Sequence, residues 1–216
     1  MKHEVWNLSD VLDSMDGIAY AIDAQARIIA IGAKRWNEFS ARNGDPELTA
    51  DSALWQNLYD IVQGDDVRGI YRRLIDEALN RSEPIVISSR CDSPGVKREL
   101  RLSIAPLRGG RSPGSALIQS LVMDEAFRPS LDLFDFKRVL ARFHEQAGLP
   151  LVTLCSFCQR VLLQGSHAGQ SWVTAEDYYH SGGSSDVRLS HGLCPECKER
   201  LLSELSPKSA AELSAG

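Results

Sequence analysis

Two Cys-x-x-Cys pairs near the C-terminus constrain this chain more than any other feature of its sequence. Cys155 and Cys158 form the first pair, Cys194 and Cys197 form the second, and 35 residues separate the pairs. A structural zinc ion takes four tetrahedral ligands, commonly thiolates, and each Cys-x-x-Cys turn brings two sulfurs to one ion. The spacing therefore predicts one structural zinc site per chain, with these four cysteines as metal ligands.

Two other uses of the same thiols stay open. Four cysteines can hold an iron–sulfur centre, and paired cysteines without a metal can act as a dithiol redox switch. Covalent haem is not expected, because its attachment motif needs His after the second Cys, where this chain has Gln159 and Lys198. His191, three residues before Cys194, is expected to hydrogen bond to a cysteine sulfur or to the backbone rather than to bind the metal.

Composition and charge narrow the functional class. Apolar residues make up 43% of the chain and charged residues 25%, as in ordinary globular proteins, and the net charge is −5. This acidic balance disfavours nucleic acid as the partner. No apolar run reaches the roughly 20 residues that span a bilayer, and the N-terminus lacks an apolar leader. We therefore expect a cytoplasmic protein, where thiols stay reduced, and no membrane partner.

The first 125 residues alternate between strand and helix patterns. GIAYAID and RIIAIG read as a hairpin, and Val67, Ile70, Leu74 and Ala78 recur at helical spacing after Gly64. Three strand candidates follow: PIVISSRC, RELRLSIAPLR and SALIQSLVMDE. This order predicts an α+β fold with one antiparallel five-stranded sheet and helices.

The same segments resemble a PAS sensor domain. The resemblance is carried by DGIAYAIDAQARIIAIGAKRWNEF, LYDIVQGDDVRGIYRRLIDEAL, RELRLSIAPLR and ALIQSLVMDE, and it implies a PAS-like domain over 1–125. It also implies a pocket for haem, flavin, a metabolite or nothing beyond its own side chains. No His lies between His3 and His144, so Cys91 is the remaining soft candidate for an axial haem ligand. Trp36, Trp55, Tyr59 and Tyr71 are candidates for lining a cavity, although aromatic residues at such positions are more often core.

Three further segments follow the PAS-like domain. Residues 126–150 are expected to be a connector helix, which packs on a neighbouring unit or pairs with a second subunit. Residues 151–204 are expected to be a four-cysteine metal-binding module, and residues 205–216 a disordered tail. Thr174 is the expected N-cap of one helix in the module, and Pro195 the first residue of another.

The module resembles a short cysteine tail found after PAS and receiver domains in bacterial signalling proteins. The matching pieces are CSFCQRVLLQG, SWVTAEDYY and LSHGLCPEC. Both resemblances together imply a bacterial signal-transduction sensor or adaptor that acts through a protein partner or a homodimer. No catalytic constellation is found, so an enzyme is not expected. One alternative is a zinc-ribbon regulator that contacts nucleic acid through Arg160, Lys198 and Arg200; another is a redox or iron–sulfur sensor.

Overall fold

The computed structural model of the chain describes residues 6–43, 45–81, 83–108, 113–135, 148–164 and 170–205. Most of the predicted connector helix, at 136–147, lies outside these ranges. The predicted tail beyond residue 205 also lies outside them.

The N-terminal part of the chain forms what we call the five-stranded unit, residues 8–127. Its elements are α1 (Leu8–Asp13), β1 (Ile18–Ile22), β2 (Ile28–Ile31), α2 (Ala33–Arg42), α3 (Ala50–Ala53), α4 (Leu58–Ile61), α5 (Asp65–Asn80), β3 (Ile85–Arg90), β4 (Val96–Pro106) and β5 (Ala116–Phe127). The strands form one sheet in the order β2-β1-β5-β4-β3, and every neighbouring pair is antiparallel. The predicted α+β class with an antiparallel five-stranded sheet is confirmed.

One face of this sheet and the helix α5 bury each other. The predicted apolar positions of α5, Val67, Ile70, Leu74 and Ala78, are all buried. On β4 the apolar Leu102 and Ile104 are buried, whereas Arg101, directly before them, is exposed and Ser103, between them, is half-buried. The alternation follows from the two-residue repeat of a strand, which sends successive side chains to opposite faces.

The C-terminal part forms what we call the cysteine unit, residues 151–205. Its elements are β6 (Leu151–Cys155), β7 (Val161–Gln164), β8 (Gln170–Val173), α6 (Ala175–His180), β9 (Arg188–Gly192) and α7 (Pro195–Leu205). The strand order is β8-β7-β6-β9, and β6 and β9 run parallel. Thr174 caps α6 by accepting a hydrogen bond from the Asp177 amide, and α7 begins at Pro195, as the sequence predicts.

The two units share one hydrophobic cluster. Its buried members include Leu74 and Ile87 from the five-stranded unit and Phe157, Cys197 and Leu201 from the cysteine unit. The cysteine unit is therefore not packed independently of the five-stranded unit, because its apolar residues complete the hydrophobic core beside α5 and β3. None of the helices in the described ranges has the length and apolar character needed to cross a membrane.

Candidate metal centre

The first cysteine pair sits on a tight turn at the end of β6. Cys155 ends the strand, and its carbonyl oxygen accepts the Gln159 amide at 2.9 Å, while its own amide donates to the Arg160 carbonyl at 2.8 Å. The turn requires the left-handed region at Gln159, whose φ is +61°. That region suits glycine and is strained for a residue with a β-carbon. The turn points Cys155 and Cys158 toward one point.

The second pair sits where β9 passes into α7. Cys194 directly precedes Pro195, which begins the helix, and Cys197 lies in its first turn. The Cys197 amide points at the sulfur of Cys194, with N and Sγ 3.4 Å apart. Helix N-termini present unpaired amides and a positive dipole end, which stabilise a thiolate.

Parallel pairing of β6 with β9 brings the two turns together. Cys155 at the end of β6 lies opposite Gly192 at the end of β9, so the loops that follow the two strands begin at the same end of the sheet. The Cys194 amide lies 3.4 Å from the sulfur of Cys155 and so links the two turns directly. The sheet, rather than the sequence spacing, sets the distance between the pairs.

The four sulfurs form a compact group. All four Sγ atoms lie within 4.8 Å of one another, and those of Cys158 and Cys194 are 3.6 Å apart. A disulfide needs about 2.05 Å between sulfurs, and the cysteines are free. Four thiolates at about 2.3 Å from one central ion stand roughly 3.8 Å apart in a tetrahedron. The spacing fits a single ion.

Burial closes the site. Cys155, Cys194 and Cys197 are buried, and Cys158 is partly exposed. Four thiolates complete a tetrahedral shell and leave no position for water or substrate. A polynuclear iron–sulfur cluster interposes its own iron and sulfide atoms between the thiolates, and therefore holds them farther apart than one ion does. The spacing thus fits one ion better than a polynuclear cluster.

The charges of the thiols point the same way. Hydrogen bonds from Cys158 and then from Cys197 hold the pKa of the Cys155 thiol far below its ordinary value. The bond to Cys155 raises the pKa of the Cys158 thiol, and it raises that of the Cys197 thiol to about 12, although the bond to Cys158 lowers the latter. A divalent cation supplies the positive charge that would let all four thiols ionise.

The other predicted residues lie in different places. His191 is not in the sulfur cluster, and its Nδ1 is buried without a hydrogen-bond partner in the part of the chain that the structure describes, so the expected bond is not made by that atom. His180 is exposed at the end of α6. Cys91 directly follows β3, and burial raises the pKa of its thiol. Arg160 pairs with Glu196, and Arg200 lies 3.9 Å from the Cys197 sulfur.

A turn residue between two cysteines fixes the centre to the five-stranded unit. Phe157 is 2% exposed, and its ring stacks on Tyr71 of α5 with centroids 6.0 Å apart. The Arg90 amide at the end of β3 donates to the Phe157 carbonyl at 2.8 Å. The Arg90 side chain also reaches the Cys158 carbonyl at 3.3 Å. Sequence reasoning missed this contact, and the only signal for it is an aromatic residue inside a Cys-x-x-Cys turn.

A buried charge network forms a second bridge between the units. Asp92, fully shielded from solvent, accepts from Arg90 at 2.5 Å and from Arg128 at 3.0 Å. Arg128 also lies 3.3 Å from Glu176 of α6, and Lys97 lies 2.7 Å from the same carboxylate. The guanidinium of Arg128 stands over the Phe134 ring, 4.5 Å from its centroid. These contacts tie β4 and the end of β5 to α6.

The predicted aromatic residues divide between core and surface. Tyr59 and Tyr71 pack against the main hydrophobic cluster. Trp55 is 65% exposed, so it lines no interior cavity. Trp36 lines a cavity between the two units and donates from Nε1 to the Leu48 carbonyl at 3.0 Å.

Comparisons with known proteins add little to this geometry. No known protein family and no curated protein matches the sequence. A crystal structure of a domain of an HTR-like protein from Haloarcula marismortui is similar at 13% sequence identity, with a TM-score of 0.34. The match covers 50% of this chain and 97% of that one. An overlap of this quality establishes neither a shared fold nor a shared function. The case for the sulfur cluster depends only on the distances between its Sγ atoms.

Proposed function

We propose that the chain is a signalling sensor or adaptor in which a PAS-like domain is coupled to a structural zinc module. One observation carries the proposal: the four-cysteine cluster is built into the same hydrophobic core as the five-stranded sheet. A conformational change in the five-stranded unit would therefore alter the position of the loops that would hold the ion. The position of the cysteine unit then reflects the state of the domain beside it.

Zinc is the metal that fits the proposal best. It has no redox chemistry, prefers four tetrahedral ligands, and forms closed Cys₄ sites that stabilise small modules. Cys155, Cys158, Cys194 and Cys197 would hold one ion per chain. When bound, it supplies folding energy and joins the two turns. Two residues of the chain connect the cysteine turns to the five-stranded unit. Phe157 contacts α5, and Arg90 links the turn to β3.

The PAS-like assignment rests on sequence order and on the type of sheet. The hairpin, the helical middle and the three final strands follow one another as in the segments that resemble a PAS domain. We propose that this unit perceives a ligand, a redox state or a partner, and that the output is contact with another protein or with a second copy. Arg160 pairs with Glu196, which supports a protein partner over nucleic acid.

Metal analysis and absorption spectroscopy of the untagged full chain test the zinc assignment. One zinc per chain and a colourless protein are the expected result. Iron with visible absorption would replace this proposal with the redox-sensor alternative. Light scattering and affinity capture with the full chain then test the adaptor role. Recovery of neither a homodimer nor a stable partner would count against it.

A further inference from the structure

A cavity of about 390 Å³ lies between the two units, and its lining includes Leu154 and Gln159, the chain neighbours of Cys155 and Cys158. One wall comes from α2 and the loop that follows it, and the opposite wall comes from β6, β9 and the short 3-10 turn Asp132–Phe134. Its size is within the range of small-molecule sites, roughly 300–1,000 Å³. Neither unit encloses this space alone, so the cavity exists only while the units are docked.

The lining of the cavity is mainly apolar and partly aromatic. Trp36 and Phe39 of α2 face it from one side, and Phe134, Leu154 and Leu189 face it from the other. Leu154 and Leu189 are at most 5% exposed, so this wall belongs to a packed core rather than to a loose surface. Aromatic walls favour flat, ring-containing ligands, which they contact through stacked or edge-on arrangements.

The described lining contains two carboxylates, and one of them, Asp92, is ion-paired. Asp92 pairs with Arg90 and Arg128, and one carboxylate oxygen of Asp45 accepts the Leu48 amide at 3.2 Å. No cation in this part of the wall is left to pair with an anionic ligand, and the Asp45 carboxylate keeps its negative charge and repels one. Burying an unpaired charge is costly, so the cavity favours a neutral molecule over an anion.

Two polar side chains of the wall have hydrogen-bonding capacity to spare. Ser40 is 9% exposed, and within the described ranges no group bonds to its hydroxyl. The Nδ1 of His191 is likewise without a partner there. This nitrogen is shielded from water, so a turn of the ring about its Cβ–Cγ bond is needed to present it to the cavity. A ligand hydroxyl can both donate and accept, and so suits Ser40 and either tautomer of His191.

We propose that this cavity binds a small, uncharged, aromatic molecule that carries a hydroxyl group, with Ser40 as its main polar contact. The inference rests on the proposed sensor function and names the ligand class that the sensor takes. Because residues of both units line the cavity, an occupied cavity favours the docked arrangement over the separated one. Ligand occupancy is thereby linked to the position of the cysteine unit.

The probe is 2-naphthol, which has two rings and one hydroxyl. We expect saturable one-to-one binding to the zinc-loaded full chain in a calorimetric or fluorescence titration. Naphthalene lacks the hydroxyl and should bind about five- to tenfold more weakly, because one hydrogen bond is lost. 2-Naphthoate should show no saturable binding, because Arg90 and Arg128 already pair with Asp92.

Variants assign the binding to this cavity. Ser40→Ala is compatible with a helix and should lower the affinity for 2-naphthol toward that for naphthalene, with the naphthalene affinity unchanged. His191→Phe should have a smaller effect in the same direction. Leu48→Trp narrows the cavity and should weaken both probes, with zinc content and circular dichroism as controls of folding.

The inference is overturned if neither probe binds saturably, or if the ratio of the two affinities is the same in wild type, Ser40→Ala and His191→Phe. Its failure is separable from failure of the proposed function. One zinc per chain and a captured partner without 2-naphthol binding would refute only the ligand site. Binding of 2-naphthol to a chain that has no zinc and no partner would refute only the proposed function.

Discussion

The carbonyl oxygen of His191 lies so close to Gly64 that a β-carbon added there would stand 2.4 Å from it. Gly64 precedes α5 with φ at +89°, a conformation that L side chains rarely adopt. Both the clash of a β-carbon with His191 and the positive φ therefore require glycine at this position. The N-terminus of α5 and the end of β9 meet there, three residues before the second cysteine pair.

We expect Gly64→Ala to separate the two units. The added methyl group has to displace the His191 carbonyl, and the backbone has to leave its positive φ, with a combined cost of at least about 2 kcal/mol. The midpoint of urea unfolding should fall, and hydrogen exchange should rise at the amides of β9.

Gly69→Ala is the matched control, because it lies in the same helix, and among the described residues no atom outside the neighbouring helix backbone lies within 4 Å of an added β-carbon. It should raise stability by up to about 1 kcal/mol through helix propensity. Equal effects of the two alanines would show that the contact between Gly64 and His191 is unimportant.

Loss of the metal should reach the five-stranded sheet. Structural zinc contributes about 10–16 kcal/mol of apparent binding free energy to small modules. Cys197 and Leu201 share a buried cluster with Ile87 of β3, so Cys197→Ser should expose that strand as well. Amide exchange of β3 and β4 is the measurement.

Cys91→Ser is the control for a thiol outside the cluster, and it should keep one metal per chain. Unchanged protection of β3 in Cys197→Ser would mean that the cysteine unit folds and unfolds by itself.

Phe157→Ala should undock the centre while all four thiols remain. The ring is buried against Tyr71, and truncation of a buried phenylalanine costs about 3–5 kcal/mol. Metal content by mass spectrometry should stay at the wild-type value, whereas the thermal midpoint should drop.

Ser156→Ala changes the preceding residue of the same turn and should leave the thermal midpoint near that of the wild type. A Phe157→Ala chain that is as stable as Ser156→Ala would show that the stacked pair does not hold the units together.

Gln159→Gly should stabilise the first cysteine turn. A residue with a β-carbon pays about 1–2 kcal/mol to occupy the left-handed region, and glycine avoids this cost but loses more chain entropy on folding. The net gain should be about 0.5–1 kcal/mol in a denaturant titration. Gln159→Ala keeps the β-carbon and should show no such gain; equal gains in both variants would point to the lost side chain instead of the backbone.

Acid should weaken the bridge at Glu176. Partial burial raises the pKa of this carboxyl, but the hydrogen bond from Lys97 and the charges of Lys97 and Arg128 outweigh it, so the pKa lies below its ordinary value. A depressed carboxyl pKa adds stability that is present above the pKa of the unfolded chain. That stability is lost as the pH falls through the folded value.

Glu176→Gln should flatten the stability profile between about pH 5 and pH 3, with a loss near neutral pH of about 1 kcal/mol or less because the carboxylate is partly exposed. Parallel profiles for the variant and the wild type would exclude this role.

Local patterns were enough to predict the elements that one segment builds by itself. The three- and four-residue spacing of Val67, Ile70 and Leu74 defines the buried face of α5, and the alternation through Leu102 and Ile104 defines a half-buried strand. The convergence of the two sulfurs within each Cys-x-x-Cys pair also follows from spacing, because each such turn is a local structure, whereas the pairing of β6 with β9 brings the two pairs together.

Contacts between distant segments could not be predicted in the same way. An aromatic residue inside the Cys-x-x-Cys turn does not identify Tyr71 as the partner of Phe157, and nothing near Ser40 indicates that β6 and β9 face it across a cavity. Such contacts depend on how the two folded units pack against each other. The hydrophobic periodicity of a single sequence does not indicate that packing. The absence of a partner for the Nδ1 of His191 is a product of the same packing.

The parallel pairing of β6 with β9 also fixes an order of events during synthesis. Cys155 and Cys158 leave the ribosome well before Cys194 and Cys197, and β9 must be made before it can lie beside β6. The first two thiols therefore lack their two partners until Cys194 and Cys197 have emerged. Capture of the proposed ion would thus require pairing of β6 with β9 first, and a chain that stops short of Cys197 would lack one of the four thiols.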